Sequence, residues 1–130
     1  MNEVKDFIRK CGVFYLATID GNVPRVRPFG IIEEFEGHLY ILTGKKKNVS
    51  KQIEKNPIVE ICASHGEQWL RVSSKLVRDD RIEAKKSILD NNPQLRDMYN
   101  ENDDNTEVLY FENAKAIFYS FTSEPKVIEF

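Results

Sequence analysis

The sequence predicts an α+β protein, mainly β, folded as a small antiparallel barrel or sandwich with short helices at its periphery. Six runs rich in β-branched and aromatic residues indicate strands, and tight-turn residues separate several of them, as expected for antiparallel hairpins. Helical patterns interrupt these runs without alternating regularly with them. At 130 residues and 41% hydrophobic, the chain has apolar residues for one core, so we expect one domain over residues 1–130.

The predicted elements follow from residue period and turn chemistry. Val4, Ile8 and Cys11 recur at helical spacing after a cap at Asn2, and Gly12 ends this first helix. Tight turns at Asp20-Gly21-Asn22 and at Glu36-Gly37 then join strands as hairpins. The six predicted strands are VFYLATI (13–19), VPRVRPFGII (23–32), LYILT (39–43), IVEICA (58–63), QWLRVSSKLV (68–77) and AIFYSF (116–121).

A further helix is predicted after the fifth strand. Asp79-Asp80 can cap it, Ile82, Ile88 and Leu89 supply its apolar positions, and Asn92-Pro93 ends it. The segment ENDDN at 101–105 has the composition of a solvated loop. We therefore place no functional group there.

Composition excludes several classes of function. The net charge of −2 argues against a nucleic-acid partner. No apolar run approaches the ~20 residues that a bilayer requires, and the charged amino terminus does not resemble a signal peptide. We expect a soluble, cytoplasmic protein with no membrane partner. Cys11 and Cys62 lack metal-ligand spacing, and His38 and His65 belong to no catalytic or metal-ligating constellation, so we predict neither catalytic side chains nor a metal site.

The segment LTGKKKNVSKQIEKNP places cations at the start of a predicted helix. Val49 and Ile53 are four residues apart, Asn48 is a candidate cap, and Asn56-Pro57 ends a helix over 49–55. Cations at a helix amino terminus cost roughly 0.3 to 1 kcal/mol each, and a bound anion reverses this penalty. Free N–H groups, the Thr43 hydroxyl and nearby ammonium groups together form a candidate phosphate site. The alternative is a solvated lysine loop.

A second basic group lies in PRVRPFG. Arg25, Arg27 and Phe29 share one face of a strand, and Val26 points to the other face. Pro24 and Pro28 remove two ladder donors, which predicts an edge or irregular strand. Its guanidinium groups could bind a flat, hydrogen-bonding ligand, or they could simply face solvent.

Trp69 and Arg71 share one face of QWLRV, opposite the core-facing Leu70 and Val72. A tryptophan outside the core can stack on a planar ligand. It can equally well pack at a subunit interface.

The ordered segments ATIDGNVPRVRPFG, LYILTGKKKNVSKQIEKNP, IVEICAS and GEQWLRVSSKLV resemble the pyridoxamine 5′-phosphate oxidase-like superfamily of FMN-binding split barrels. The similarity is greatest to its small, nitroimidazole-resistance-like flavoproteins. It implies a six-stranded split barrel, an FMN cofactor and a homodimer that completes the flavin site. It also implies an oxidoreductase acting on a small planar or nitroaromatic molecule, with the chemistry carried by the flavin.

The resemblance implies cofactor contacts from three regions. The segment from Thr43 to Lys51 would hold the phosphate, the strand from Arg25 to Phe29 would line the ring, and Trp69 would lie near the ring edge. The implied contact residues are Arg25, Val26, Arg27, Pro28, Phe29, Leu42, Thr43, Lys47, Asn48, Lys51 and Trp69.

Two departures from the family pattern argue against vitamin B6 oxidation. Asn48-Val49 replaces an Arg-Lys pair of the family, so we expect Lys47, Lys51 and backbone N–H groups to bind the phosphate. The carboxy-terminal arginine motif for a substrate phosphate has no counterpart in PKVIEF. The alternatives are a non-catalytic flavin-binding protein and a haem or tetrapyrrole user, for which His65 is the candidate axial ligand.

Overall fold

A computed structural model describes all 130 residues, Met1–Phe130. The chain is mainly β and has three α-helices, a 3₁₀ helix and eight strands. None of the helices is long and apolar enough to span a membrane. In chain order the elements are α1 Asn2–Cys11, β1 Phe14–Asp20, β2 Val23–Phe29, β3 Glu33–Phe35, β4 His38–Gly44, α2 Asn48–Lys55, β5 Ile58–His65, β6 Gln68–Asp79, α3 Ile82–Asp90, the 3₁₀ helix Pro93–Asp97, β7 Thr106–Ser120 and β8 Lys126–Glu129.

All eight strands form one antiparallel sheet. The hydrogen-bonded order is β2-β1-β5-β6-β7-β4-β3, and β8 pairs with β7. The sheet does not close, and β2, β3 and the short β8 each pair with a single neighbour and form its edges. The edge position of β2 confirms the prediction from Pro24 and Pro28. Proline has no backbone N–H, so it cannot supply the hydrogen bonds that a central strand makes to two neighbours.

The predicted count of six strands is wrong. Two short strands, β3 and β8, were not predicted, and β7 begins at Thr106, ten residues before the predicted start at Ala116. The first four residues of β7, Thr106 to Leu109, are all buried. A strand covered on both faces lacks the alternation by which a half-buried strand is recognised.

Two helix caps also differ from the prediction. Helix α1 begins at Asn2 with Met1 as its cap, and α3 is capped by Arg81 and not by Asp79-Asp80. Asp79 belongs to the end of β6, where its carboxylate accepts a hydrogen bond from the Arg81 backbone N–H at 3.1 Å. The predicted end of α1 is confirmed, because Gly12 has a φ of 80°, which favours glycine.

The core has two parts. Nineteen buried residues form the larger cluster, which includes Val4 and Ile8 of α1, Val49 and Ile53 of α2, and the inner face of the sheet. Seven form a smaller cluster that joins Tyr40 to Ala84, Ile88 and Leu89 of α3. The two clusters leave the polar face of α2 exposed beside β2.

A polar cluster ties the end of β6 to β4. Tyr40 Oη donates to Asp79 Oδ2 at 2.7 Å. Arg81 donates from Nε at 3.0 Å and from Nη2 at 2.9 Å to the two carboxylate oxygens of Asp79. These Arg81 contacts lower the pKa of Asp79 from 3.8 to about 2, despite the opposing effect of burial.

The depressed pKa predicts an acid-sensitive contribution to stability. It is present above about pH 4 and is lost as the pH falls toward 2, because protonation of Asp79 then competes with the native contacts. Asp79→Asn should reduce the free energy of unfolding at neutral pH by on the order of 2 kcal/mol. It should also flatten its pH dependence below pH 4, as measured by urea unfolding across a pH series.

Asp80→Asn is the matched control. Its side chain is 70% exposed and reaches only Lys45, at 3.9 Å, so its effect should stay within about 0.5 kcal/mol. If the free energy of unfolding of Asp79→Asn fell as steeply below pH 4 as that of the unsubstituted protein, Asp79 would not be the source of the acid sensitivity.

Candidate functional site

A cleft of about 950 Å³ lies between the β1–β2 turn, β2 and the polar face of α2. Its volume is within the range of small-molecule sites. The cleft lining contains five cationic side chains and a single acidic one, Asp20. In a chain of net charge −2, this is a local concentration of positive charge. The five cations are Arg25, Arg27, Lys47, Lys51 and Lys55.

Helix α2 supplies one wall of the cleft because it is amphipathic. Val49 and Ile53 are buried in the core, whereas positions 48, 51, 52 and 55 line the cleft. This spacing of three, four and seven residues defines one helical face. Ser50 fixes the helix from below, since its hydroxyl donates to the buried Glu107 at 2.7 Å.

The predicted cap at Asn48 is wrong. The helix begins at Asn48 itself, and Lys47 is the cap residue in an extended conformation, without a side-chain cap hydrogen bond. The N–H groups of the first turn therefore receive no acceptor from a capping side chain. They lie beside the Lys47 and Asn48 side chains that line the cleft, where an anionic ligand could accept from them.

The loop before α2 is fixed by a second loop. Asn105 accepts from the Lys45 N–H through its backbone oxygen at 2.7 Å and from the Lys46 N–H through Oδ1 at 3.1 Å. Burial would raise the pKa of the Asp103 carboxyl, but hydrogen bonds from Thr106, Asn105 and Asn100 outweigh it, and the pKa is lowered. The segment ENDDN is thus a hydrogen-bonded support for the lysine loop and more than the solvated loop we predicted.

The two arginines of β2 have different surroundings. Arg25 Nε contacts Asp20 Oδ2 at 3.2 Å near the rim. Arg27 is half-buried and donates to the Leu16 carbonyl at 3.2 Å, to Thr18 Oγ1 at 2.7 Å and to Gln52 Oε1 at 2.6 Å. Burial, and secondarily the charge of Arg25, lower the pKa of Arg27.

A smaller apolar pocket of about 230 Å³ adjoins the cleft. The two cavities share Arg27, Lys47 and Val49 in their linings. The basic cleft therefore continues directly into an apolar space. The apolar side chains around that space include Phe29, Ile31, Leu42, Leu95, Met98 and Tyr99.

The structure brings together ten of the eleven residues predicted to contact a cofactor. Those in the cleft are Arg25, Val26, Arg27, Lys47, Asn48 and Lys51. Those in the apolar pocket are Arg27, Pro28, Phe29, Leu42, Thr43 and Lys47.

Trp69 lines neither cavity. It lies on the outer face of β6 and stacks on Tyr119, with ring centroids 5.4 Å apart and planes 12° apart. Strands β1 and β5 separate β6 from β2 in the sheet. Within one copy of the chain, Trp69 therefore lies outside the cleft, three strand positions from β2.

Sequence reasoning did not find four residues that shape the site. Gln52 and Lys55 line the cleft, and Thr18 contacts Arg27 from the neighbouring strand. The helical spacing of 48, 51, 52 and 55 could have identified the first two. No sequence signal relates Asn105 to the lysine loop, because their contact depends on tertiary structure.

The histidines lie outside both cavities. His65 is exposed at the end of β5, and the His38 ring packs against Tyr110 with 4.5 Å between centroids. Nowhere in the chain do three or more His, Cys, Asp and Glu side chains gather in an arrangement that could hold a metal ion.

Fold and sequence together define the class of protein: a mainly β, antiparallel chain of the pyridoxamine 5′-phosphate oxidase-like superfamily. The family model described as pyridoxamine 5′-phosphate oxidase matches residues 1–108, and the chain belongs to this family. A matching solved structure is a NimC/NimA family protein from Clostridium acetobutylicum. The two sequences are 40% identical over 100% of this chain and 92% of that chain, with a TM-score of 0.96. The resemblance to the nitroimidazole-resistance-like branch is therefore confirmed.

More distant structures share the fold. General Stress Protein 26 from Bacillus anthracis is 15% identical, with 99% of this chain and 97% of that chain covered and a TM-score of 0.78. A pyridoxamine 5′-phosphate oxidase-related, FMN binding protein from Nostoc punctiforme is 14% identical, with 99% and 93% covered and a TM-score of 0.65. No curated protein matches the chain.

The contact between the two loops predicts a specific effect of Gly44→Ala. A Cβ at Gly44 would lie 2.9 Å from Asn105 Nδ2, so the Asn105 amide must move and release the Lys46 N–H. The free energy of unfolding should fall by about 1 kcal/mol, the usual value of one such hydrogen bond. Chemical denaturation measures the change.

Gly30→Ala is the control, because a Cβ at Gly30 meets no atom within 4 Å. It should leave stability unchanged or raise it by up to about 1 kcal/mol. Equal destabilisation of the two variants would show that the Gly44 contact with Asn105 is not the cause.

Proposed function

We propose that the chain is a single FMN-binding domain over residues 1–130, and that it acts as an oxidoreductase on a small planar or nitroaromatic substrate. The observation that carries the proposal is the basic cleft that opens into an apolar pocket. A phosphorylated ligand with a planar ring has this same division between a charged and an apolar end. Membership of the family supports the cofactor, and the class of substrate follows from the resemblance to nitroimidazole-resistance-like proteins.

The residues of the cleft fit the phosphate group. Lys47 and Lys51 line the cleft and form no ion pair within the protein, so both ammonium groups are available to a ligand. The uncapped first turn of α2 adds backbone donors and a favourable dipole. A phosphate dianion would offset the mutual repulsion of cations that the fold holds close together.

The residues around the apolar pocket fit the ring. Pro28 and Phe29 at the end of β2 and Leu42 of β4 all line this pocket. Arg27 stands where the pocket meets the cleft. A guanidinium at that position can donate to ring oxygens and nitrogens while the apolar side chains cover the ring.

When bound, FMN supplies the electron-transfer chemistry. The chain would hold the phosphate, orient the ring and leave one ring face accessible to substrate. Arg27 would stabilise negative charge near the ring. No nucleophile or general base is required of the side chains.

Two alternatives concern what the site does. A non-catalytic flavin-binding protein would use the same contacts, because the cofactor performs the reaction. A haem or tetrapyrrole user would need an axial ligand in the pocket, and His65 lies at the β5–β6 hairpin, outside both cavities. We therefore favour the flavin.

We further propose that the protein is a homodimer through the outer face of the sheet. The strand register places Tyr15, Ile19, Val26, Ile58 and Val127 on this one face, and each of these side chains is more than a third exposed. Polar side chains, including the Glu60–Arg71 ion pair, lie between them on the same face, and such a mixture of apolar and polar groups is usual in protein interfaces. A second copy of the chain, related by two-fold symmetry, would cover this face.

The proposed dimer also accounts for Trp69. It lies on the same outer face as Val26, and Val26 lines the cleft. A two-fold contact across this face could bring Trp69 of one copy toward the cleft of the other. The cofactor site would then be completed by both subunits.

The first test of the proposed function is the visible absorption spectrum, with and without added FMN. An oxidised-flavin spectrum supports the proposal, whereas a Soret band would support the tetrapyrrole alternative. Lys47→Ala with Lys51→Ala should then weaken FMN binding by roughly 1.5 to 3 kcal/mol per charge-assisted hydrogen bond lost. Riboflavin, which lacks the phosphate, should bind almost as before, as measured by flavin fluorescence titration.

Lys10→Ala with Lys86→Ala is the matched control. It removes the same charge from two exposed lysines that line neither cavity. Equal weakening of FMN and riboflavin by the Lys47 and Lys51 substitutions would disprove the phosphate assignment.

The dimer is tested by Tyr15→Glu. A charge on the outer face should raise the dimer dissociation constant at least tenfold and release FMN together with dissociation, as followed by light scattering and flavin absorbance. Ile82→Glu is the control, because Ile82 on α3 is 54% exposed and Tyr15 is 50% exposed. A monomer with fully bound FMN would rule the dimer out.

A further inference from the structure

Arg27 differs from every other arginine in the chain. Six of the seven arginines contact a carboxylate, but Arg27 has no carboxylate within 4.0 Å. All three of its hydrogen bonds go to neutral oxygen atoms. Because Arg27 is half-buried, its charge is only partly screened by solvent and lacks a counter-ion within the protein.

Gln52 and Thr18 determine this environment. Thr18 Oγ1 accepts from Arg27 Nη1 at 2.7 Å and donates to Gln52 Oε1 at 2.6 Å. Gln52 Oε1 also accepts from Arg27 Nη2 at 2.6 Å. Since a guanidinium only donates, the Gln52 atom that faces it must be the amide oxygen. Thr18 is buried, so the three groups form a connected network that fixes the guanidinium.

The acidic side chains near the cleft do not compensate Arg27. Asp20 contacts Arg25 at 3.2 Å, and Glu54, two residues after Gln52, is directed toward Arg78 at 4.0 Å. A glutamate at position 52 would have nearly the same shape as glutamine and would form an ion pair with Arg27. The chain therefore has a neutral acceptor at a position where a carboxylate would cancel the charge.

Two of the five guanidinium N–H donors of Arg27 remain free after its three hydrogen bonds. We propose that Gln52 is a positioning residue that holds Arg27 as an unpaired cation facing the ligand, and so stabilises the negative charge that a flavin ring gains on reduction. This inference rests on the proposed FMN function. It adds a residue that acts through Arg27 and does not itself need to touch the cofactor.

Gln52→Glu tests the inference, with the reduction potential of bound flavin as the readout. A carboxylate that pairs with Arg27 should reduce the preference for reduced over oxidised FMN at least tenfold. For a two-electron couple this equals a fall of about 30 mV. Gln94→Glu is the matched control, because it makes the same substitution at an exposed position on the 3₁₀ helix, outside both cavities.

Gln52→Met separates charge from geometry. It removes the amide acceptor that holds Arg27 without adding a charge, so FMN binding should weaken and the reduction potential should fall, but by clearly less than in Gln52→Glu. A fall in potential as large as that of Gln52→Glu would overturn the proposed neutral acceptor, as would a Gln52→Glu variant that behaves like Gln94→Glu. If the unsubstituted protein binds no FMN, the proposed function itself fails, and this inference fails with it.

Discussion

The position of α2 is the constraint on which the rest of the site depends. Val49 and Ile53 pack into the main core, and Ser50 donates to Glu107, which is 1% exposed and also accepts from Arg78 Nε. Removal of one partner from such a buried polar group typically costs more than the net value of the hydrogen bond. The helix therefore has little freedom to rotate. With its apolar side fixed to the core, its other side must face β2.

This fixed orientation concentrates positive charge at an energetic cost. Lys47 and Lys51 are four residues apart at the start of α2, where like charges repel and the helix dipole opposes them. Arg25 adds to this repulsion, since its charge contributes to the lowered pKa of Arg27. The fold resists relaxation of this cluster, because Asn105 holds the preceding loop and Gln52 holds Arg27. An anionic ligand would therefore meet cationic side chains that no carboxylate of the protein neutralises.

Local sequence patterns predicted those parts of the structure that depend on local chemistry. Pro24 and Pro28 located the edge strand, and Gly12 located the end of α1. They failed where tertiary contacts decide the outcome. The buried start of β7 has no alternation, and the cap of α2 lies one residue earlier than its side-chain chemistry suggests.

The candidate site was predictable to a similar extent. Motif order identified ten residues that the fold gathers around two adjoining cavities. It did not identify Gln52 or Thr18, because one is a polar helix residue and the other a buried strand residue, and neither is unusual in its local sequence. Their importance arises only when β1, β2 and α2 meet. Trp69 is the one predicted contact residue that lies outside both cavities of its own chain. Its sequence context does not specify whether it would reach a cavity of the same copy or of a second copy.

The edge strand β2 connects the two proposals that involve the ligand and the dimer. Its side chains alternate, so Arg25 and Arg27 point toward α2 while Val26 points to the outer face. A displacement of this one strand would move both sets of side chains together. An edge strand has a partner on only one side, which makes it less constrained than a central strand. Covering its outer face with a second subunit would restrict β2 and thereby fix Arg27 against Gln52. Dimer formation and ligand binding would then stabilise the same strand from opposite faces, and each would favour the other.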